Sequence, residues 1–390
     1  MSAFTLNEDQ TMLAESARKY ASRGYGEAVR GASLAHPHGC VPARWREFAE
    51  FGWLGLPLPE EHGGMGGSLA DVCVLAEELG RALVVEPWLP CGVLAAGLLA
   101  DVAGAAVRAE WLPALAAGAK RIAFAVWEPG SRFAMGRVAT RAQRTDDAYV
   151  LDGVKELVLG APGADALLVS ARHAGATCLF LVEQGTPGMV VREYALFDGA
   201  RAAHVRLDGA KVAAVARLGE GDMAAAIERA VDRATVAHCA QTVGAMARAH
   251  EITLDYLKTR KQFGRALAGN QVLQHRLVDQ FVALEEGRAL VRAAAHDCAG
   301  AGDEARLRVA AAKAHVAQSA RSAWEESVQM HGAIGMTDEY VIGQYVKHLA
   351  AAHMLFGDAD AHLERIAAIE DERHVGRVMQ SQPERCASRP

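Results

Sequence analysis

The sequence has no membrane-length apolar run, no paired cysteines and no excess of basic charge. The apolar segment from Val93 to Val107 is interrupted by Gly97, Asp101 and Gly104, well short of the roughly 20 residues a bilayer requires. The seven cysteines (Cys40, Cys73, Cys91, Cys178, Cys239, Cys298, Cys386) are scattered and odd in number, and no two form a CxxC pair. Neither a zinc site nor a disulfide framework is indicated. A formal net charge of -6 argues against a nucleic-acid-binding face, while leaving room for a local phosphate pocket. The opening MSAFTLNEDQ lacks the basic and apolar regions of a signal peptide, so a soluble cytoplasmic protein is expected. Aromatic residues make up only 6%, whereas alanine is abundant. Alanine is the best helix former and lets helices approach closely, so a largely α protein follows. At 390 residues, two or three domains are expected.

The pattern changes twice along the chain. Residues 1–120 read as a helical domain: Asn7 can cap a helix with Gln10 at N3, a second helix covers Ala43 to Phe51, and another runs from about Leu69 to Leu83. Gly63, Gly64, Gly66 and Gly67 are not followed by Lys-Ser/Thr, which favours a mobile loop over a phosphate loop. Residues 121–220 read as an antiparallel β-barrel or sandwich. Short β-rich runs at 149–151, 157–159, 166–170, 178–182, 189–191 and 203–207 are broken at Asp152-Gly153, Pro187-Gly188, Asp198-Gly199 and Asp208-Gly209. Residues 221–375 return to helix, with long segments from Asp222 to about Thr259, Gln271 to Ala299, Asp303 to Met330 and Asp338 to Ala352. These four can form a bundle. A further helix covers Ala359 to Ile369, and 376–390 reads as a frayed tail. The whole is mostly α with a β insert.

Two segments stand out in the last part: YLKTRKQFGRALAGNQ at Tyr256 to Gln271, and QMHGAIGMTDEY at Gln329 to Tyr340. Arg260 can bind a pyrophosphate through paired hydrogen bonds, Phe263 offers a flat apolar face, and Asn270 and Gln271 offer amide donors and acceptors. Equally, Lys258, Arg260, Lys261 and Arg265 can simply answer the dipole of a helix C-terminus. In the second segment the small residues let a backbone approach a ligand, although a glycine-capped turn between helices has the same composition.

Together with WLGLPLPEEHGGMGG at Trp53 to Gly67, Val126-Trp127-Glu128-Pro129-Gly130, and Tyr149 to Lys155, these motifs resemble the acyl-CoA dehydrogenase family from about Phe4 to Ile369. The local pattern around Phe356 and the turn from His331 to Thr337 looks most like the branch of pimeloyl-CoA dehydrogenase small subunits. The resemblance implies dimers or tetramers holding FAD between the β domain and the bundle. Arg260, Phe263, Leu267, Asn270, Gln271, Gln329, Met330, Gly332 and Ala333 would serve the FAD of a neighbouring subunit, while Val126 and Trp127 line the flavin of their own. It further implies an acyl-CoA substrate and an electron-transferring flavoprotein as acceptor.

In that chemistry, hydride leaves the β carbon of an acyl-CoA for the flavin while a glutamate removes the α proton. The family places that glutamate at one of two positions. Here those positions hold Phe356 and Ala234, and neither can take a proton. Further departures are Trp127 for a flavin-bonding threonine, Leu159 for a flavin-contacting hydroxyl, and Ala333 for the second glycine of a pair. Asp358 and Asp232 each lie two residues from a base position, about 200° around a helix. Asp358 and Asp360 are equally suited to capping the last helix. Four readings stay open: one subunit of a heteromeric dehydrogenase, a structural FAD-holding subunit, a self-sufficient desaturase using Asp358 or Asp232, or a family member diverted to other flavin chemistry such as an oxidase or monooxygenase.

Overall fold

Asn7 does cap the first helix. Its side chain accepts from the backbone of Gln10 at 2.8 Å and the Gln10 amide oxygen accepts from Asn7 N at 3.2 Å, closing a capping box on α1 (Glu8–Gly24). The structure, a computed structural model, describes residues 5–298, 302–337 and 339–381. After α1 come α2 (Glu27–Ala35), α3 (Pro42–Glu50) and α4 (Leu69–Arg81), the last opened by a second capping box between Ser68 and Asp71. A π-helical stretch, Trp88–Ala96, then leads into α5 (Gly97–Val102) and α6 (Ala105–Ala116).

The glycine-rich loop is pinned, contrary to the mobile loop expected from composition. Gly64, Met65, Gly66 and Gly67 donate to main-chain oxygens of Pro59, Gly55, Leu58 and Leu56 at 2.8–3.0 Å. A Cβ on Gly64 would lie 2.1 Å from Leu58 O, so glycine is required there for close approach of two backbone strands rather than for a phosphate.

The middle of the chain forms one eight-stranded sheet. Its strands are β1 (Ile122–Ala125), β2 (Arg141–Arg144), β3 (Ala148–Leu159), β4 (Ala166–His173), β5 (Ala176–Glu183), β6 (Met189–Ala195), β7 (Arg201–Ala213) and β8 (Arg217–Leu218). The path runs β6-β7-β3-β2-β4-β5-β8, with β1 beside β4. The sheet is not purely antiparallel, because β1 pairs with β4 in parallel over Ile122–Ala125. The runs 149–151 and 157–159 belong to a single strand. Asp152-Gly153 is a bulge within it rather than a turn, marked by a register shift against β7 and by a Gly153 whose Cβ would strike Thr140. An inner apolar layer including Tyr149, Leu151, Phe180 and Val205 gives this sheet its own core.

The rest is helical: α7 (Ala224–Thr259), a small hairpin of β9 (Lys261–Gln262) and β10 (Arg265–Ala266), then α8 (Gln271–Asp297), α9 (Asp303–His331), α10 (Ile342–Ala352) and α11 (Ala359–Ser381). The apolar period ends near Ile369, yet α11 continues to Ser381; the remainder of the expected tail, 382–390, lies outside the described residues. One continuous core joins these helices to the N-terminal ones. Contact between α4 and α7 is backbone to backbone: a Cβ on Gly80 would lie 1.9 Å from Gln241 O, and one on Gly244 1.9 Å from Glu77 O. That seam fixes the N-terminal helices against the bundle. No helix among the described residues is long and apolar enough to cross a membrane.

Candidate active site

The chain leaves β1 through Val126 and Trp127, both buried, and turns at Glu128 to Ser131. Glu128 is the anchor of that turn. Its carboxylate accepts from Lys155 Nζ at 2.6 Å, Thr140 Oγ1 at 2.6 Å and the Ala139 and Thr140 amides, while Lys155 Nζ also donates to Ser170 Oγ at 2.8 Å. Lys155 is fully buried and Glu128 nearly so. Burial alone would push the Glu128 carboxyl up, but Lys155, Thr140 and the Ala139 amide together hold it below its ordinary value. Burial pushes Lys155 down to about 8, with Glu128 opposing. The Trp127 carbonyl is fixed as well, accepting from Glu156 N at 2.9 Å.

Facing Trp127 is Phe356. Their rings meet edge to face with centroids 5.7 Å apart, and Phe356 also packs on His238 at 5.2 Å. Phe356 adopts φ +60° and is followed by Gly357 at φ +101°, so the loop from 352 to 358 turns sharply. Three buried polar side chains clamp this loop through its carbonyls. His238 Nε2 donates to Ala352 O at 2.9 Å, Lys313 Nζ to Ala352 O at 3.1 Å and His353 O at 3.4 Å, and His362 Nε2 to Phe356 O at 2.9 Å. Burial, with the Lys313 charge nearby, pushes His238 down to about 3, so its ring is neutral with the proton on Nε2. The Trp127–Phe356 contact separates two spaces. Outside it is a cleft of about 890 Å³ lined by the 131–137 turn, Asp232, Thr235, Asp358 and Arg365. Inside is a chamber of about 90 Å³ that Leu159 and Phe356 both touch.

The two acids nearest the base positions, Asp232 and Asp358, are engaged. Asp232 is held by Arg365 through two bonds of 2.6 and 2.8 Å, and Arg365 also reaches Glu228 at 2.8 Å. Asp358 caps α11, accepting from Ala361 N at 2.9 Å, while Asp360 sits in that helix's first turn. Ala234 is fully buried on α7.

The other expected ligand-binding residues gather at the far end of α7. Arg260 is its exposed C-cap, and Phe263, 99% exposed at φ +51°, forms with Gly264 the tip of the β9–β10 hairpin. Positive φ at both tip residues is the geometry of a tight two-residue hairpin turn. Asn270 bonds Leu267 O and accepts from Arg265, and Gln271, exposed, opens α8. Gln329, Gly332 and Ala333 are exposed at the end of α9, with Gly332 at φ +67°. Met330 points inward, packed with Leu257 and Leu277, and Leu267 lies partly buried against them. What joins the two segments was not read from the sequence. Tyr256 stacks on His331 at 4.4 Å and donates to its carbonyl at 3.3 Å, with Tyr340 completing the cluster. Both residues stood inside the quoted motifs, but an aromatic–imidazole stack leaves no periodic trace.

Nine expected residues therefore share one end of the bundle, and two lie at the other. From Thr235, which lines the cleft, to Arg260 is 25 residues of unbroken helix, roughly 38 Å at 1.5 Å per residue. A guanidinium, an open aromatic face and exposed amides are a donor set suited to a diphosphate and an adenine, so the far end fits that half of a dinucleotide.

A fold of helical, β and helical layers with such a set fits a protein that holds a dinucleotide cofactor. The acyl-CoA dehydrogenase N-terminal, middle and C-terminal domain models match residues 7–119, 123–210 and 220–369. The chain belongs to the acyl-CoA dehydrogenase family, FAD-dependent oxidoreductases acting on acyl-CoA. It is 31% identical over 369 residues to acyl-CoA dehydrogenase IpdE2 of Mycolicibacterium smegmatis, covering 93% of this chain and 99% of that one. With acyl-CoA dehydrogenase FadE27 of Mycobacterium tuberculosis it shares 29% over 333 residues, 83% of this chain and 86% of that one. Among solved structures, the Tcur3481-Tcur3483 steroid ACAD superposes with a TM-score of 0.87 at 30% identity, covering 95% of this chain and all of that one. The ChsE4-ChsE5 complex of Mycobacterium tuberculosis superposes with a TM-score of 0.85 at 25% identity, covering 98% of this chain and 100% of that one.

Proposed function

We propose that this chain is the subunit of a heteromeric acyl-CoA dehydrogenase that lacks its own desaturation site and completes the FAD site of a neighbour. The observation that carries this reading is the Trp127–Phe356 contact. A substrate must place its α and β carbons between the flavin, expected beside Val126 and Trp127, and a base at position 356. With the two rings touching, no thioester fits between them, and neither Phe356 nor Ala234 can accept a proton. Asp232 is neutralised by Arg365, and Asp358 is committed to a helix N-terminus.

FAD, when bound, supplies the electron-accepting chemistry. The chain's own part is to bind and orient it. Arg260 would hold the diphosphate, Phe263 the adenine face, and Asn270, Gln271, Gln329, Leu267, Met330, Gly332 and Ala333 the surrounding cradle, with Val126 and Trp127 serving the flavin at the opposite end. Because those ends are roughly 38 Å apart on one rigid helix, a single FAD would draw them from two chains. An exposed apolar stripe on α8, Val278, Phe281 and Val282, offers a surface for such a partner. In this reading residues 1–120, 121–220 and 221–375 act as three domains in a cytoplasmic dimer or tetramer, and electrons pass on to an electron-transferring flavoprotein. Two relatives described as two-component assemblies, Tcur3481-Tcur3483 and ChsE4-ChsE5, favour the heteromer over a purely structural subunit.

Anaerobic titration of the isolated, FAD-loaded protein with acyl-CoA thioesters is expected to leave the flavin absorbance unchanged, whereas addition of a glutamate-bearing partner subunit bleaches it. Rapid bleaching by the isolated protein, abolished by Asp358→Asn, would overturn the reading. Separately, Arg260→Ala is expected to weaken FAD binding about 10- to 100-fold, the 1.5–3 kcal/mol of a charge-assisted contact, and so to lower the FAD content of the purified protein. Unchanged flavin-to-protein absorbance would sink the diphosphate assignment.

A further inference from the structure

We draw no further inference here: the strongest candidate, the groove of about 470 Å³ between α1, α4 and α8, is floored by small side chains such as Ala14, Ala70, Cys73 and Ala295, its rim charges are engaged with one another in the Arg18–Glu78 and Arg288–Glu77 pairs, and nothing in the structure shows what covers it.

Discussion

Trp127→Thr combined with Phe356→Glu is expected to convert an acyl-CoA-inert flavin into one that bleaches on anaerobic mixing. In the proposed reading the parent fails for two separate reasons, a filled gap and a missing base, so each single substitution repairs only one of them. Removing the indole opens the space now closed by a 5.7 Å ring contact, and a glutamate at 356 puts a carboxylate where a proton must be taken. The loop should survive the change, because His238, Lys313 and His362 hold it through main-chain oxygens and not through the Phe356 ring. Burial would raise the pKa of the new carboxyl, which suits a base working near neutrality. A positioned base contributes about 10²–10⁴-fold, so the double variant should exceed Trp127→Thr alone by that factor in stopped-flow flavin reduction. A folded, FAD-loaded double variant that stays oxidised would show that neither the gap nor the base was limiting.

Lys155→Met is expected to cost about 3–5 kcal/mol of stability, the usual penalty for stripping one partner from a buried ion pair. Glu128 would keep its hydrogen bonds from Thr140 and Ala139 but lose its only countercharge among the described residues, at a site where both partners are almost wholly inaccessible. Because Glu128 also organises the turn that presents Trp127, FAD content should fall in parallel. The double change Lys155→Met with Glu128→Gln should recover a large part of the loss, since no bare charge remains. Urea denaturation of the parent, Lys155→Met, Glu128→Gln and the double variant reads this directly; a Lys155→Met penalty below about 1 kcal/mol would contradict it.

How much of this was legible in the sequence follows from which interactions leave a period. The capping box at Asn7 and Gln10, the helices α7, α8 and α9 and the change of texture near Arg121 are local and repetitive, and they appeared where expected. The Asp152-Gly153 bulge reads like a turn because both need a permissive glycine; only the partner strand distinguishes them. The glycine loop reads as mobile because its composition cannot show that residues 55–60 supply its acceptors. At the site, Phe356 and Trp127 were visible as departures from the motifs they interrupt. Their mutual contact was not, because it joins positions 229 residues apart through a loop held by His238, Lys313 and His362. Each of those three is an unremarkable polar residue in a helix until its carbonyl partner is known.

The central claim, that FAD is held between two chains, is tested most directly by sedimentation velocity followed at the flavin absorbance band. Across a dilution series the flavin signal should sediment only with the dimer or larger species, while any monomer sediments colourless, since one chain cannot bring Trp127 and Arg260 to the same cofactor along a helix of 36 residues. A monomer carrying one FAD per chain would contradict the account.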